Sequence, residues 1–232
     1  VVTERTKLPT NITCGHFEAN DKGEWSYITE QGEKLTGFQY VDGVELYFDK
    51  DGKQLKGQEI TVDGKTYYLD QNTGALLKNS YRNWSEKQII SRYKTNYIYH
   101  TSYFNRDGIR ATGLVKTAAG FIHYFDENGE LLKNVAVNVG GTTYVFGERG
   151  RLARNSFIWD KVDFTFPENV NFYYGDEKGH AVKGLQTIDG YQLYFDKDGR
   201  QAKDKIVQID GKTYYFDKNN GRMVKNQWAS VN

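Results

Sequence analysis

This chain of 232 residues has one cysteine, one methionine and two prolines. A single cysteine, Cys14, excludes a disulfide framework and a cysteine-rich metal site, and it reads as a small, partly buried side chain rather than a reactive thiol. No apolar run approaches the ~20 residues that a membrane-spanning helix needs, so no membrane partner is expected. An excess of one charge is missing too: 31 basic and 30 acidic residues are interspersed, for a net charge of +1. That leaves no basic stripe for nucleic acid and no acidic tail. The four histidines (His16, His100, His123, His180) show neither i, i+4 spacing nor cysteine partners, so no metal site and no cofactor is expected. The chain lacks an initiator methionine and a leader, and the expectation is a mature segment or a piece of something longer. A mean hydropathy of −0.74 excludes a large aliphatic core.

What is abundant is aromatic and glycine: 18 Tyr, 13 Phe, 4 Trp and 24 Gly. They fall into a recurring phrase, an aromatic pair, a polar turn ending in glycine, then a basic residue. It reads LYFDKDGKQLK at 46–56, TYYLDQNTGALLK at 66–78 and HYFDENGELLK at 123–133. It returns as TYVFGERGRLAR at 143–154, LYFDKDGRQAK at 193–203 and TYYFDKNNGRMVK at 213–225. A period near 20 residues predicts an all-β protein, a β-solenoid of stacked β-hairpins with small aromatic clusters between neighbours.

A longer period lies over the first. Asn79-Ser80-Tyr81 precedes Trp84, Asn155-Ser156-Phe157 precedes Trp159, and Asn226-Gln227-Trp228 ends the series. Three hairpins fall between successive asparagines, which gives super-repeats at 25–78, 79–154 and 155–225 and the start of a further unit at 226–232. Residues 1–24 match no repeat and are expected to form an irregular or incomplete unit. The first hairpin of each super-repeat is the irregular one, with loops expected at 85–96 and 160–171.

In Leu193-Tyr194-Phe195-Asp196 successive side chains face opposite ways. One ring is expected to pack between hairpins while the other lines a groove. Asp196-Lys197-Asp198-Gly199 makes the turn, with glycine where positive φ is needed. The carboxylate pairs Asp49/Asp51 and Asp196/Asp198 lie in such turns, where they cap backbone amides rather than act as acid and base. Asp-x-Asp-Gly also opens calcium loops, but the remaining ligands and the closing glutamate are missing. With no Gly-x-Ser-x-Gly and no phosphate loop, this segment is not expected to be an enzyme.

The binding signal is a paired one. Gln39 precedes Gln54 and Lys56 in the first super-repeat, and Gln186 precedes Gln201 and Lys203 in the last, in the same register. Two apart on a strand, Gln and Lys point to one face. The rings expected beside them are Tyr27 with Tyr47, and Tyr174 with Tyr194. A flat ring, an amide and an ammonium suit a pyranose, stacking on its C–H face and hydrogen-bonding its hydroxyls. The central super-repeat has Val115 and Leu131 in place of both glutamines and keeps only Lys133. The outer units are therefore expected to bind and the middle one to act as a spacer.

The alternation of GLQTIDGYQLYFDKDGRQAK-type and IDGKTYYFDKNNG-type phrases over about 25–228 resembles the C-terminal glucan-binding region of glucansucrases, secreted glucosyltransferases of streptococci and related lactic acid bacteria. The resemblance implies an α-glucan (dextran-like) partner, a secreted or cell-surface location and a parent enzyme whose sucrose-cleaving domain is absent here. It also implies sugar pockets of stacking tyrosines with a Gln-x-Lys pair, carried onto Gln54/Lys56 and Gln201/Lys203 with Tyr27 and Tyr174 as rings. A monomer is expected. The alternatives are the choline-binding repeats of cell-wall proteins, the glycan-binding repeats of clostridial toxins, and a purely structural spacer. Choline needs an aromatic cage and tolerates a nearby cation poorly, which Lys56 and Lys203 oppose.

Overall fold

The computed structural model describes residues 10–92, 94–161 and 170–225, and the expected further unit at 226–232 lies outside them. The chain divides into two compact units, Val1–Ala111 and Thr112–Asn232. This division falls inside the expected second super-repeat. Every described element is a strand.

In the first unit β1 (Asn11–Ile12) is followed by four hairpins. They are β2 (Gly15–Ala19) with β3 (Trp25–Thr29), β4 (Gly37–Val41) with β5 (Val44–Phe48), β6 (Gln58–Val62) with β7 (Lys65–Leu69), and β8 (Ser80–Ser91) with β9 (Lys94–Phe104). The second unit pairs β10 (Gly113–Lys116) with β11 (Ile122–Phe125), β12 (Val135–Val139) with β13 (Thr142–Phe146), and β14 (Ser156–Lys161) with β15 (Val170–Gly175). It closes with β16 (Gly184–Ile188) on β17 (Tyr191–Phe195) and β18 (Lys205–Ile209) on β19 (Lys212–Phe216). Residues 15–24 are thus the leading strand and turn of a regular hairpin, and β1 lies parallel against β4. Cys14 is exposed, not partly buried as expected. The expected loop at 85–96 is mostly strand, the outer part of a long ribbon with a bulge between Ile89 and Ser91.

The alternation in the aromatic pair decides the packing. Its second member, the residue just before the turn and aromatic in all of these but Leu69, turns inward and is sealed off: Phe48, Leu69, Phe104, Phe125, Phe146, Phe195 and Phe216 are all 0% exposed. The first member faces the other way and packs against the neighbouring hairpin, as Tyr68 does on Phe104 and Tyr194 on Phe216. The Asp-Gly turns at Asp42-Gly43, Asp63-Gly64, Asp189-Gly190 and Asp210-Gly211 have both residues at positive φ, the type I′ geometry that matches strand twist. The chain crosses from one hairpin to the next through a left-handed residue, for example Gly57, Asn79, Asn155 or Asp204. That requirement explains the recurring asparagines.

Hairpins are stapled by main-chain bonds. After seven of the polar turns one N–H donates back to the preceding hairpin: Gln54 to the Trp25 carbonyl, Leu76 to Glu45, Arg110 to Thr66, Leu152 to Ile122, Ala181 to Thr143, Gln201 to Phe172 and Met223 to Gln192. The next N–H donates to the hairpin's own strand, as Leu55 does to Tyr47 and Ala202 to Tyr194. The side chain two residues after the turn glycine packs on the turn glycine of the following hairpin, Leu76 on Gly108, Leu131 on Gly150 and Leu152 on Gly179. Turn carboxylates cap amides as expected: the Asp49 carboxylate accepts from the N–H groups of Asp51 and Lys53, both at 2.9 Å, and Asp196 from Asp198 and Arg200 at 2.9 and 2.8 Å.

Candidate functional site

The first unit contains a cavity of about 360 Å³ where the first and second hairpins meet the third. Phe17 and Trp25 wall it, Val41 and Leu46 floor it, and Gln54, Lys56, Asp42 and Thr73 supply polar groups. The volume falls in the range of small-molecule sites, and the composition is that of such sites, an apolar floor with a few convergent polar groups.

Gln54 and Lys56 are therefore brought together as expected, but with different rings. Tyr27 is 1% exposed, packed edge-on against Phe17 at 5.0 Å and lodged among Val41, Leu46 and Phe48, so no sugar can stack on it. Its hydroxyl is buried without a hydrogen-bond partner, and desolvation raises its pKa. Gly15 closes over the ring, where a Cβ would come within 2.6 Å of Tyr27 Cε1. Trp25, two residues earlier on the same strand face and 45% exposed, is the ring that lines the cavity. Tyr47 packs against Phe38 at 4.8 Å, in the cluster of Tyr67, Leu69 and Leu76, and does not reach the groove. Gln39 is also outside it, donating to the Thr36 carbonyl at 2.7 Å.

The second unit repeats the arrangement. Gln201 staples to Phe172 as Gln54 does to Trp25, so Phe172 takes the place of Trp25. Lys203 Nζ lies 3.5 Å from the centre of that ring, and desolvation lowers its pKa. Trp159 stands directly across the hairpin from Phe172 and is 47% exposed. Tyr174 packs on Phe157 at 4.8 Å and Tyr194 on Phe216 at 5.8 Å, so neither expected ring stands free. Gln186 repeats Gln39, donating to the Lys183 carbonyl at 2.6 Å.

The Gln-x-Lys pair also has a duty within the fold. Gln54 Nε2 donates to the Thr73 carbonyl at 3.1 Å, and Lys56 Nζ to the Asn72 carbonyl at 3.4 Å. Gln201 and Lys203 bond the Asn220 and Asn219 carbonyls at 3.1 and 3.2 Å. Both turns, Asp70–Gly74 and Asp217–Gly221, are one residue longer than those at 49–52, 126–129 and 196–199. The pair holds the extra peptide. Leu131, by contrast, meets a short turn at Gly150 and has no extra peptide to hold. Thr101 stands where Trp25 and Phe172 stand, because Tyr103 accepts from Ala111 as Tyr27 does from Leu35. The central super-repeat thus lacks the ring as well as both amides.

The rings at 25 and 172 escape the sequence expectation because the repeated aromatic pair points to Tyr27 and Tyr174. The usable signal is alternation: residues 25 and 27, or 172 and 174, share a face, and the outer one is the ring beside the Gln-x-Lys pair.

The choline-binding repeat family matches residues 35–81 and 182–228. Glucosyltransferase-S of Streptococcus mutans serotype c is 33% identical over 224 residues, 95% of this chain and 14% of that protein. Glucosyltransferase-S of Streptococcus downei is 31% identical over 228 residues, 96% of this chain and 16% of that protein. The chain thus spans about a seventh of the length of these curated relatives. Among solved structures, the choline-binding domain of CbpL from Streptococcus pneumoniae superposes with a TM-score of 0.59 at 21% identity, over 93% of this chain and 99% of that one, a likeness of fold. The chain is homologous to a segment, about a seventh of the length, of streptococcal glucosyltransferases.

Proposed function

We infer that this chain is a non-catalytic α-glucan-binding segment, of an extracellular or cell-surface glucosyltransferase, that holds the polymer at the Gln54/Lys56 groove and its Gln201/Lys203 counterpart. The observation that carries the reading is the first-unit cavity, where exposed Trp25 stands beside the Gln54 amide and the Lys56 ammonium. Trp25 offers a flat apolar face to the C–H side of a pyranose. Each ammonium spends one of its three hydrogens on a turn carbonyl, which leaves donors for sugar hydroxyls. Asp42 adds an acceptor at the same rim. In the second unit Lys203 rests on Phe172, so a sugar must displace it or use the neighbouring Trp159.

Choline is the second reading, favoured by the repeat family that matches 35–81 and 182–228. Site chemistry opposes it, since the Lys203 ammonium already occupies the ring face a quaternary ammonium would take. Calorimetric titration with an isomalto-oligosaccharide tests the assignment. One ring and a few exchanged hydrogen bonds give a Kd on the order of millimolar to micromolar. Trp25→Ala is expected to abolish binding at the first groove, Tyr27→Phe to leave it unchanged, and excess choline not to compete. Unchanged affinity in Trp25→Ala, or full competition by choline, would overturn it.

A further inference from the structure

The β8–β9 ribbon is the outlier among the hairpins, with strands of 12 and 11 residues where β4 and β5 have 5. Its base is anchored: Arg82 lies over the Tyr68 and Trp84 rings, 4.3 Å from each centre, and Trp84 stacks on His100 at 5.0 Å. Those groups occupy one face. The other face carries Asn83 and Thr101, then Ser85 opposite Tyr99, then Lys87 opposite Tyr97. Tyr99 is 74% exposed and Tyr97 51%. Neither makes a ring contact or a side-chain hydrogen bond among the described residues, so both rings stand ready for a ligand.

In strand register this face corresponds to the one that carries Trp25 in β3 and, within the second unit, Phe172 in β15. At the equivalent position it has Thr101 instead of a ring, and rings reappear one and two pleats further out, at Tyr99 and Tyr97. We propose that the Tyr97/Tyr99 face is an additional stacking surface for the same uncharged glucan polymer, with Ser85 and Lys87 hydrogen-bonding the hydroxyls of the stacked sugars. The inference rests on the glucan reading above. Each ring has a hydrogen-bonding side chain directly across the ladder, within the ~5 Å of a cross-strand pair, and the two rings lie about 6.8 Å apart along the strand. Ile89, at the tip, is the one aliphatic side chain of this face among the described pairs, while Ile98 points to the opposite face. A protein partner would call for a larger apolar centre, and a membrane surface for a basic cluster, whereas Lys87 is the one basic side chain of this face among the described pairs.

The test is affinity electrophoresis of the full chain in dextran, comparing wild type, Y97A/Y99A, Y97F/Y99F and a Trp25→Ala/Phe172→Ala groove variant. Loss of two stacked rings is expected to weaken retardation by about tenfold or more. Y97F/Y99F, which keeps the rings, should bind nearly as wild type, and melting temperatures should not differ because both side chains are exposed. Y97A/Y99A retarded like wild type, while the groove variant is not, overturns this inference and spares the groove. Failure of the wild type to be retarded at all overturns the glucan reading, and this one with it. Loss of anionic-vesicle binding in Y97A/Y99A, with dextran retardation intact, would assign the face to a membrane instead.

Discussion

Trp25 and Tyr27 sit on one face of one strand and have opposite fates. Tyr27 is covered by β1, Phe17 and Gly15, while Trp25 lies one pleat further out and is 45% exposed. A pattern of residue types shows which side chains share a face, but not how far along the strand the neighbours reach. The same limit hid the constraint on His123, which reads in the sequence as one of four scattered histidines. It is buried, donates Nδ1–H to the Gly150 carbonyl at 2.8 Å, and takes the place held by Leu46 and Leu193 in the related hairpins. Burial, reinforced by the nearby Arg151 charge, lowers its pKa below 6.5. Below that value the unfolded chain takes up a proton that the folded one refuses, so the stability contributed is complete above pH 6.5 and is lost as pH falls through the folded pKa. Melting curves of wild type and His123→Leu at successive pH values should diverge below about 6.5, by at most ~1.4 kcal/mol per pH unit. Parallel curves would show that this histidine does not gate acid stability.

At the scale of the hairpin, the repeated phrase made strands, turns and stacking legible. The polar turn recurs with the aspartate that caps it and the glycine that its φ requires. The ribbon at 80–104 was not legible over its outer half, because Ser85-Glu86-Lys87-Gln88 lacks the apolar alternation that marks a strand with one face on a core. Its pairing is sustained by the ladder itself. The Gln-x-Lys pair was legible as a repeated constellation, but its role in holding the longer turn was not, since that depends on a carbonyl 19 residues away. Gln201→Leu, which copies the side chain found at Leu131, should keep the fold while freeing the turn at Asp217–Gly221. One lost hydrogen bond of about 1 kcal/mol should speed amide exchange at Gly221 and Arg222 roughly five- to tenfold. Unchanged exchange there would remove the pair from the turn's support.

For the whole molecule, the two units each carry a Gln-x-Lys pair beside an outward ring, and the interspersed charge leaves no long-range field to draw an ionic partner. Weak sites on one chain gain from a polymeric ligand, because the second contact becomes intramolecular and avidity rises by ~10² or more when the polymer spans both. Binding to a neutral polymer releases no condensed counterions, so salt should alter it little. The direct measurement is a crystal of this chain soaked in an isomalto-oligosaccharide. Density stacked on Trp25 within hydrogen-bonding reach of Gln54 and Lys56, with a counterpart at Gln201 and Lys203, is the expected result. Ordered sugar found only away from both Gln-x-Lys pairs would contradict it.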